Sequence, residues 1–168
     1  MRKLILSVLM MVLLPGALLA EVTLLGLPDA QLVGRGQFTR FGFSIYEARL
    51  WAPLGQYTPE RPFALSLTYS RTIAGEKLVQ ASFDEMQKLQ APLAERLEWR
   101  ADLERVLPDV VPGDSITAVY YPGQGATFFH RDKQTGQIND DLAKYFLGIW
   151  LDPRTSEPSL RQALLGKR

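Results

Sequence analysis

Arg71 and Tyr69 are the residues of this sequence whose types and spacing best suit ligand binding. The stretch 63–71 alternates apolar with small polar residues, which predicts a strand that carries both side chains on its apolar face. A guanidinium on a core-facing stripe must find an anion or reach water, because an unpaired buried charge is strongly destabilising. Two interpretations stay open. Arg71 reaches water or pairs with Glu76 or Glu85, or it binds a ligand carboxylate bidentately while Tyr69 adds a hydroxyl.

Tyrosines recur on the predicted strands, at positions 46, 69, 120 and 121. Each of these side chains supplies apolar area together with one polar handle, which suits the wall of a ligand cleft. Packing in the core or on the sheet surface explains each tyrosine equally well, so both interpretations remain.

Several classes of site are excluded by the residue types. The chain has no cysteine and a single histidine, His130, which excludes thiol catalysis, disulfides and any metal site with two imidazoles. No further ligands stand at metal spacing around His130, so we predict no metal and no cofactor. Ser44 lacks the Gly-x-Ser-x-Gly setting of a serine hydrolase. Gly34-Arg35-Gly36 lies in a strand pattern with no helix after it, which argues against a dinucleotide site.

The composition describes one ordinary globular domain. Hydrophobic residues make up 46% and charged residues 22% of the 168 residues, which excludes a disordered chain. The 19 basic and 18 acidic residues are balanced and form no basic patch, so nucleic acid is not an expected partner.

Residues 1–20 have the layout of a secretory signal peptide, with a basic start, a mostly apolar run over 4–14 and a small residue, Ala20, at the cut point. The run of 11 residues is shorter than the roughly 20 that span a bilayer, which argues against a membrane anchor. We therefore predict cleavage between Ala20 and Glu21 and a single mature domain over 21–168. The expected location is periplasmic or secreted, with no stable membrane anchor after cleavage.

The order of predicted elements indicates how these residues are positioned. Strands come first, then two helices, then strands joined by glycine-containing turns, then two more helices. The predicted strands are 32–41 and 43–51 with Gly42 as the bend, then 63–71, 115–121, 126–131 and a short one near 137–138. The predicted helices are 75–89, one with Pro92 in its first turn and Leu97 on its apolar face, 140–150, and one capped by Ser156. This order favours an α+β fold, in which an antiparallel sheet carries helices on one face.

Several blocks of the sequence resemble the bacterial exported chalcone isomerase-like proteins. The blocks are 36–51, 67–71 running into a helix, Pro-Gly-Asp at 112–114, and 146–166, and they recur in order over nearly the whole mature chain. The resemblance implies the chalcone isomerase fold, an open-faced β-sandwich with helices packed against a large antiparallel sheet. The family includes plant enzymes that close a chalcone to a flavanone, and plastid fatty-acid-binding proteins without that activity.

The residues that the plant enzymes use are mostly not matched. Gly42 stands where the enzymes have a threonine, and Leu78 and Glu85 stand near their tyrosine and asparagine. Arg35 and Arg40 are both candidates for their arginine. Since Gly42 and Leu78 carry no side-chain donor, chalcone ring closure at an enzymatic rate is not expected.

The resemblance therefore implies a non-catalytic protein that binds a small amphipathic ligand, a fatty acid or an aromatic acid, between sheet and helices. The candidate ligand-binding residues are Arg71, Tyr69, Arg40, Tyr46 and Tyr120, and no catalytic residue is assigned. Arg71 and Tyr69 offer the arginine and tyrosine chemistry with which the fatty-acid binders hold a carboxylate. Two alternatives stay open: an isomerase (an intramolecular lyase) acting on a chalcone-like phenolic substrate, and a structural or interaction protein without an open cleft.

Export is directly testable. Because the signal peptide should be removed after Ala20, intact-mass measurement of the protein recovered from the periplasm is expected to place its N-terminus at Glu21. An intact Met1 in that fraction, or sedimentation of the protein with membranes, would contradict the prediction.

Overall fold

The computed structural model describes residues 26–167 of the chain. In this range six antiparallel strands form one sheet in the order of the sequence, and four helices pack on it. The strands are β1 (Ala30–Arg40), β2 (Phe43–Pro53), β3 (Phe63–Tyr69), β4 (Ser115–Tyr121), β5 (Gly125–His130) and β6 (Lys133–Ile138). The helices are α1 (Gly75–Lys88), α2 (Glu98–Val106), α3 (Asp140–Leu151) and α4 (Pro158–Leu164), with a 3₁₀ turn at Leu93–Glu95. The predicted α+β fold is confirmed, whereas the predicted signal peptide and its cleavage site lie outside the described residues.

Strand alternation separates the apolar side chains into two clusters. Phe63, Leu65 and Leu67 of β3 belong to the large core that also contains residues from all four helices. Ala64, between them, lies in a small cluster on the opposite face of the sheet together with Trp51 of β2. The alternating pattern of β3 therefore places successive side chains on opposite faces of the sheet, and the helices cover the face that carries the bulkier residues.

The third strand is shorter than its pattern predicts. It ends at Tyr69, whose amide donates to the Asp114 carbonyl at 2.8 Å and whose carbonyl accepts from the Gly113 amide at 2.8 Å. Ser70 still donates its amide to the Ile45 carbonyl of β2 at 2.9 Å, but the strand itself ends at Tyr69, so the alternation of faces stops before Arg71. The prediction that Arg71 shares the core-facing stripe is therefore wrong, and Arg71 is exposed.

Helix α2 begins later than its pattern predicts. After Pro92 the chain forms only the 3₁₀ turn, and the α-helix starts at Glu98. Trp99, Leu103 and Val106 form its buried face. Leu97, predicted to lie on that face, is 81% exposed because it precedes the first turn of the helix.

The last two helices begin with different kinds of cap. The Asn139 side chain caps α3 by accepting from the Leu142 amide at 2.9 Å. The N-cap of α4 is Glu157 rather than the predicted Ser156, and it makes no side-chain cap. Ser156 instead donates its hydroxyl to Glu85 Oε2 of α1 at 2.5 Å.

Glycines on β1 allow α4 to approach the sheet closely. A Cβ atom added at Gly34 would lie 2.2 Å from the Ala163 carbonyl oxygen, and one at Gly36 would lie 2.6 Å from Leu160 Cδ1. Gly34-Arg35-Gly36 is therefore a packing feature of the strand, as its position within a strand pattern predicts. Among residues 26–167, no helix is both long enough and apolar enough to cross a membrane.

Gly34→Ala should destabilise the fold because its new methyl group meets backbone atoms of α4, which cannot swing away like a side chain. We expect a loss of about 1–3 kcal/mol in the free energy of unfolding, measured by urea denaturation. The neighbouring exposed residue serves as the control, and Arg35→Ala should change stability by less than about 0.5 kcal/mol. Equal effects of the two substitutions would contradict close packing at Gly34.

Candidate functional site

A cavity of about 470 Å³ lies between the sheet and helices α1 and α3. Its inner wall is apolar and consists mainly of buried residues of β3, β4, β5 and α3, namely Leu65, Leu67, Ile116, Ala118, Phe128 and Phe146. Helix α1 faces this wall with the small side chains of Ala81 and Ser82. The cavity stays open because the small side chains of Ala81 and Ser82 on α1 do not fill the distance to the sheet, while larger aromatic side chains hold the two layers apart.

Tyr46 joins the two layers at the side of the cavity. Its hydroxyl oxygen accepts a hydrogen bond from Trp150 Nε1 of α3 at 2.9 Å. The ring of Phe38 stacks on Tyr46 at 5.0 Å between centroids, and Tyr69 meets it edge-on at 5.8 Å. Burial raises the pKa of Tyr46 above its ordinary value, so this hydroxyl is neutral and keeps its proton.

Tyr69 places a second hydroxyl at the cavity. Its side chain is only 5% exposed, and its hydroxyl has no hydrogen-bond partner among residues 26–167. Burial raises the pKa of this hydroxyl too, so it is a neutral donor. Because Tyr69 lines the cavity, this hydroxyl is available to donate a hydrogen bond to an acceptor on a ligand.

The mouth of the cavity is polar and charged. Glu85 is held in place there by Lys88 Nζ at 2.6 Å and by the Ser156 hydroxyl. Arg40 and Lys77 also line the mouth, and neither forms an ion pair within the described part of the chain. The inner wall, by contrast, carries no charged side chain. The site therefore combines an apolar interior, two neutral hydroxyl donors and two cations that are free to meet an anion at the entrance.

The structure brings three of the five predicted ligand-binding residues together. Tyr69, Tyr46 and Arg40 all line the cavity, on three neighbouring strands. Arg71 does not, because its guanidinium stacks on the exposed ring of Phe43, 4.8 Å from the centroid. Arg71 therefore does not line the cavity together with Tyr69, and it makes no ion pair with Glu76 or Glu85.

Tyr120 also lies away from the cavity. Its hydroxyl donates to Asp140 Oδ1 at 2.8 Å, and the Gly123 amide donates to the same oxygen at 3.0 Å. Lys144, bonded to Asp140 at 2.5 Å, lowers the pKa of that carboxyl. Tyr120 therefore ties the β4–β5 turn to the start of α3, and the proposal that it binds a ligand is not supported by its position.

His130 belongs to a structural cluster around Asp114. Its Nε2 atom lies 3.1 Å from Asp114 Oδ2, and Arg131 donates twice to Oδ1 at 2.8 and 2.6 Å. The amide of Val111, with Arg131 and His130, lowers the pKa of Asp114 to about 2. Within residues 26–167, no three histidine or carboxylate side chains stand close enough to hold a metal ion.

Trp150 and Lys77 are site residues that the sequence did not single out. Trp150 lies in the apolar second half of α3, residues 146–151, so nothing in the pattern distinguishes it from core. Lys77, Ala81, Glu85 and Lys88 recur at spacings of three and four on α1 and share one face. That repeat of charged and small residues beside the apolar stripe could have indicated a helix that borders a cavity.

Comparisons with known proteins agree with this architecture. The family model described as chalcone isomerase-like matches residues 16–166. The chain belongs to the chalcone isomerase-like family. An uncharacterized protein of Haemophilus influenzae is 26% identical over 138 residues, which covers 82% of this chain and 68% of that protein. The crystal structure of a fatty-acid binding protein of Arabidopsis thaliana is similar with a TM-score of 0.65 at 11% identity, over 82% of this chain and 87% of that one. The latter match shows the fold, and the resemblance found in the sequence is confirmed.

The cavity of this chalcone isomerase-like protein takes its donors from positions other than those matched to the plant enzymes. Gly42 lies in the exposed turn between β1 and β2, outside the cavity. Leu78 lines the cavity but has no polar atom. The hydroxyls at the cavity come instead from Tyr46 and Tyr69, which stand opposite each other on paired strands.

The Tyr46–Trp150 hydrogen bond should be measurable as a coupling between the two residues. In a double-mutant cycle of Tyr46→Phe and Trp150→Phe, we expect a coupling energy of about 0.5–1.5 kcal/mol from urea denaturation of the ligand-free protein. Tyr69→Phe is the matched control, because its hydroxyl has no partner to lose, and should change stability by less than about 0.5 kcal/mol. A coupling energy of zero would show that the bond does not stabilise the fold.

Proposed function

We propose that this protein binds a small amphipathic acid, of fatty-acid or aromatic-acid type, in the cavity between sheet and helices. The observation that carries the proposal is the Tyr69 hydroxyl, a donor without a partner among residues 26–167 at the wall of an apolar cavity. The volume of about 470 Å³ falls within the usual range for small-molecule pockets, about 300–1,000 Å³. Each methylene group that leaves water for the apolar wall contributes about 0.8 kcal/mol to binding.

The distribution of charge favours one orientation of the ligand. A carboxylate buried at the inner wall would have no cation beside it, and an unpaired buried charge is strongly destabilising. At the mouth it meets Arg40 and Lys77, whose charges are not neutralised by any carboxylate of the described residues. The hydrocarbon or aromatic body then lies along the apolar wall, where Tyr69 donates to a neutral acceptor such as a carbonyl or hydroxyl oxygen.

Two comparisons support binding rather than catalysis. The Arabidopsis protein of the same fold is named as a fatty-acid binding protein. The positions matched to the enzymes' threonine and helix tyrosine are Gly42 and Leu78, so donors aimed at a developing enolate charge are missing there. The proposed role is therefore to carry or present the acid, without chemical change.

We further propose that the protein is exported and works in the periplasm or outside the cell. The basic start, the apolar run and the small residue at Ala20 support this location.

Binding can be tested by titrating dodecanoate and 4-hydroxycinnamate while following tryptophan fluorescence, since Trp150 lines the cavity. Lys77→Gln should weaken binding of either acid about tenfold or more, the effect of losing a hydrogen bond to a charged group. Tyr69→Phe should weaken an acid that carries a second oxygen by about two- to tenfold, with little effect on dodecanoate. Ser82→Leu, which fills the space between α1 and the sheet, should abolish binding of both.

The controls are matched substitutions away from the cavity. Lys133→Gln on β6 removes an exposed lysine, and Ala101→Leu adds the same bulk on α2. Both variants should bind as the unchanged protein does. Native mass spectrometry of protein recovered from its own source should reveal a bound acid. Absence of binding to any acid tested, or stereoselective conversion of a chalcone to a flavanone, would refute the proposed function.

A further inference from the structure

The turn between β1 and β2 exposes two aromatic side chains. We define the hairpin tip as residues 40–43, with Arg71 stacked against it. Phe41 is 88% exposed and Phe43 is 59% exposed. Large apolar side chains at this exposure cost solubility and contribute nothing to the core, so a pair of them at one tip indicates a contact surface.

The residue at position 41 is also unfavourable for the turn itself. Arg40 pairs with Phe43, which leaves Phe41 and Gly42 as a two-residue loop with φ angles of 51° and 78°. Such a loop requires positive φ at both positions and favours Asn, Asp or Gly there, whereas a bulky residue is an outlier in this region. The aromatic ring is therefore kept at a cost to the local backbone, and no packing within the described chain accounts for it.

The tip is cationic as well as aromatic. The Arg40 guanidinium lies 5.5 Å from the centre of the Phe41 ring, and that of Arg71 lies 4.8 Å from the Phe43 ring. No Asp or Glu occurs in residues 30–46 or 61–75, the segments that form and flank the tip. Neither arginine forms an ion pair within residues 26–167, so both charges are available to an external anion.

We infer that the hairpin tip docks on an anionic lipid surface. Aromatic rings favour the boundary between headgroups and acyl chains, and arginine binds phosphate oxygens bidentately, so Phe41 and Phe43 would enter the boundary while Arg40 and Arg71 bind lipid phosphates. A second copy of the chain is a poorer occupant. A symmetric contact would bring the same arginines against each other, and like charges in an interface are repulsive.

The position of the tip relates this surface to the cavity. Phe38, Thr39 and Arg40, on the strand that leads into the tip, line the cavity. Docking would place the mouth beside the lipid surface, so an amphipathic acid could pass between bilayer and cavity with little exposure to water. This transfer role rests on the proposed function, whereas the docking itself does not.

The test is flotation of the protein, as recovered from cells with its N-terminus determined, with two kinds of vesicles. One kind contains phosphatidylcholine alone, and the other contains phosphatidylcholine with phosphatidylglycerol. The protein should float with the vesicles that contain phosphatidylglycerol and not with the neutral ones, and added salt should weaken the binding. Equal binding to both kinds, or to neither, would overturn the inference.

Phe41→Asn separates docking from folding. Asn suits the positive φ of the turn, so this variant should melt at the same temperature as the unchanged protein or higher, while its vesicle affinity falls about tenfold. Arg71→Gln should lower the affinity about fivefold, the share of one basic residue near an anionic surface. A folded Phe41→Asn variant with unchanged vesicle binding would refute docking through the tip. The inference would also be overturned if the unchanged protein formed a concentration-dependent dimer that only the Phe41→Asn substitution abolished.

The controls distinguish this inference from the proposed function. Leu97→Asn removes an equally exposed apolar side chain near α2, and Arg61→Gln removes an exposed arginine at the other end of β3. Both variants should float as the unchanged protein does. Phe41→Asn should bind dodecanoate in solution with unchanged affinity, while Ser82→Leu should float normally although its cavity is filled. Loss of both properties in either variant would contradict separate roles for the Phe41 ring in docking and for the cavity in ligand binding.

Discussion

The contact between the Tyr46 hydroxyl and the Trp150 indole is the interaction on which the cavity depends. It joins the sheet to α3 between residues 104 positions apart in the chain. Aromatic side chains bridge the two layers at this point, while α1 faces the sheet with Ala81 and Ser82. The layers are thus held by large residues on one side and separated by small ones on the other. A core that would otherwise close at ordinary packing density retains a cavity there.

Polarity is arranged in the cavity by depth. Neutral hydroxyls occur on the buried strands β2 and β3, and free cations occur only at the exposed mouth. This arrangement follows from the cost of desolvation, which a hydroxyl tolerates far better than a guanidinium or a carboxylate. Where a carboxyl group is buried, as at Asp114, polar groups of three residues surround it and lower its pKa to about 2. The same chain therefore neutralises the buried charge of Asp114, which serves the fold, and leaves Arg40 and Lys77 without an ion pair at the cavity entrance.

Membership of the chalcone isomerase-like family does not by itself specify what the cavity does. The fold positions residues of five strands and two helices around the cavity, and the side chains at a few positions decide whether the cavity offers donors to a reaction or walls to a ligand. Here the hairpin that carries Phe38 and Arg40 also carries the exposed aromatic tip. One element therefore contributes to both the wall of the cavity and the outer surface, which places the entrance beside Phe41 and Phe43.

The local pattern of the sequence was sufficient for the elements and the family. Alternation in β3, the glycine bend at position 42 and the ordered blocks over 36–166 are short-range properties, since strand periodicity and turn chemistry need only neighbouring residues. They predicted the α+β arrangement of sheet and helices and the chalcone isomerase-like family.

Long-range contacts decided the rest. Arg71 is exposed because β3 ends at Tyr69, two residues before the alternating pattern does. The last residue of the strand bonds to Asp114 and Gly113, more than forty residues away in the chain. The sequence pattern does not distinguish Trp150 from an ordinary core residue, and only the folded structure shows its hydrogen bond to Tyr46. The open space opposite Ala81 exists only once α1 is packed on the sheet. Periodicity shows which residues share one face of a strand or helix. Whether a strand ends and whether a hydroxyl finds a hydrogen-bond partner depend on distant parts of the chain, which only the tertiary structure brings near.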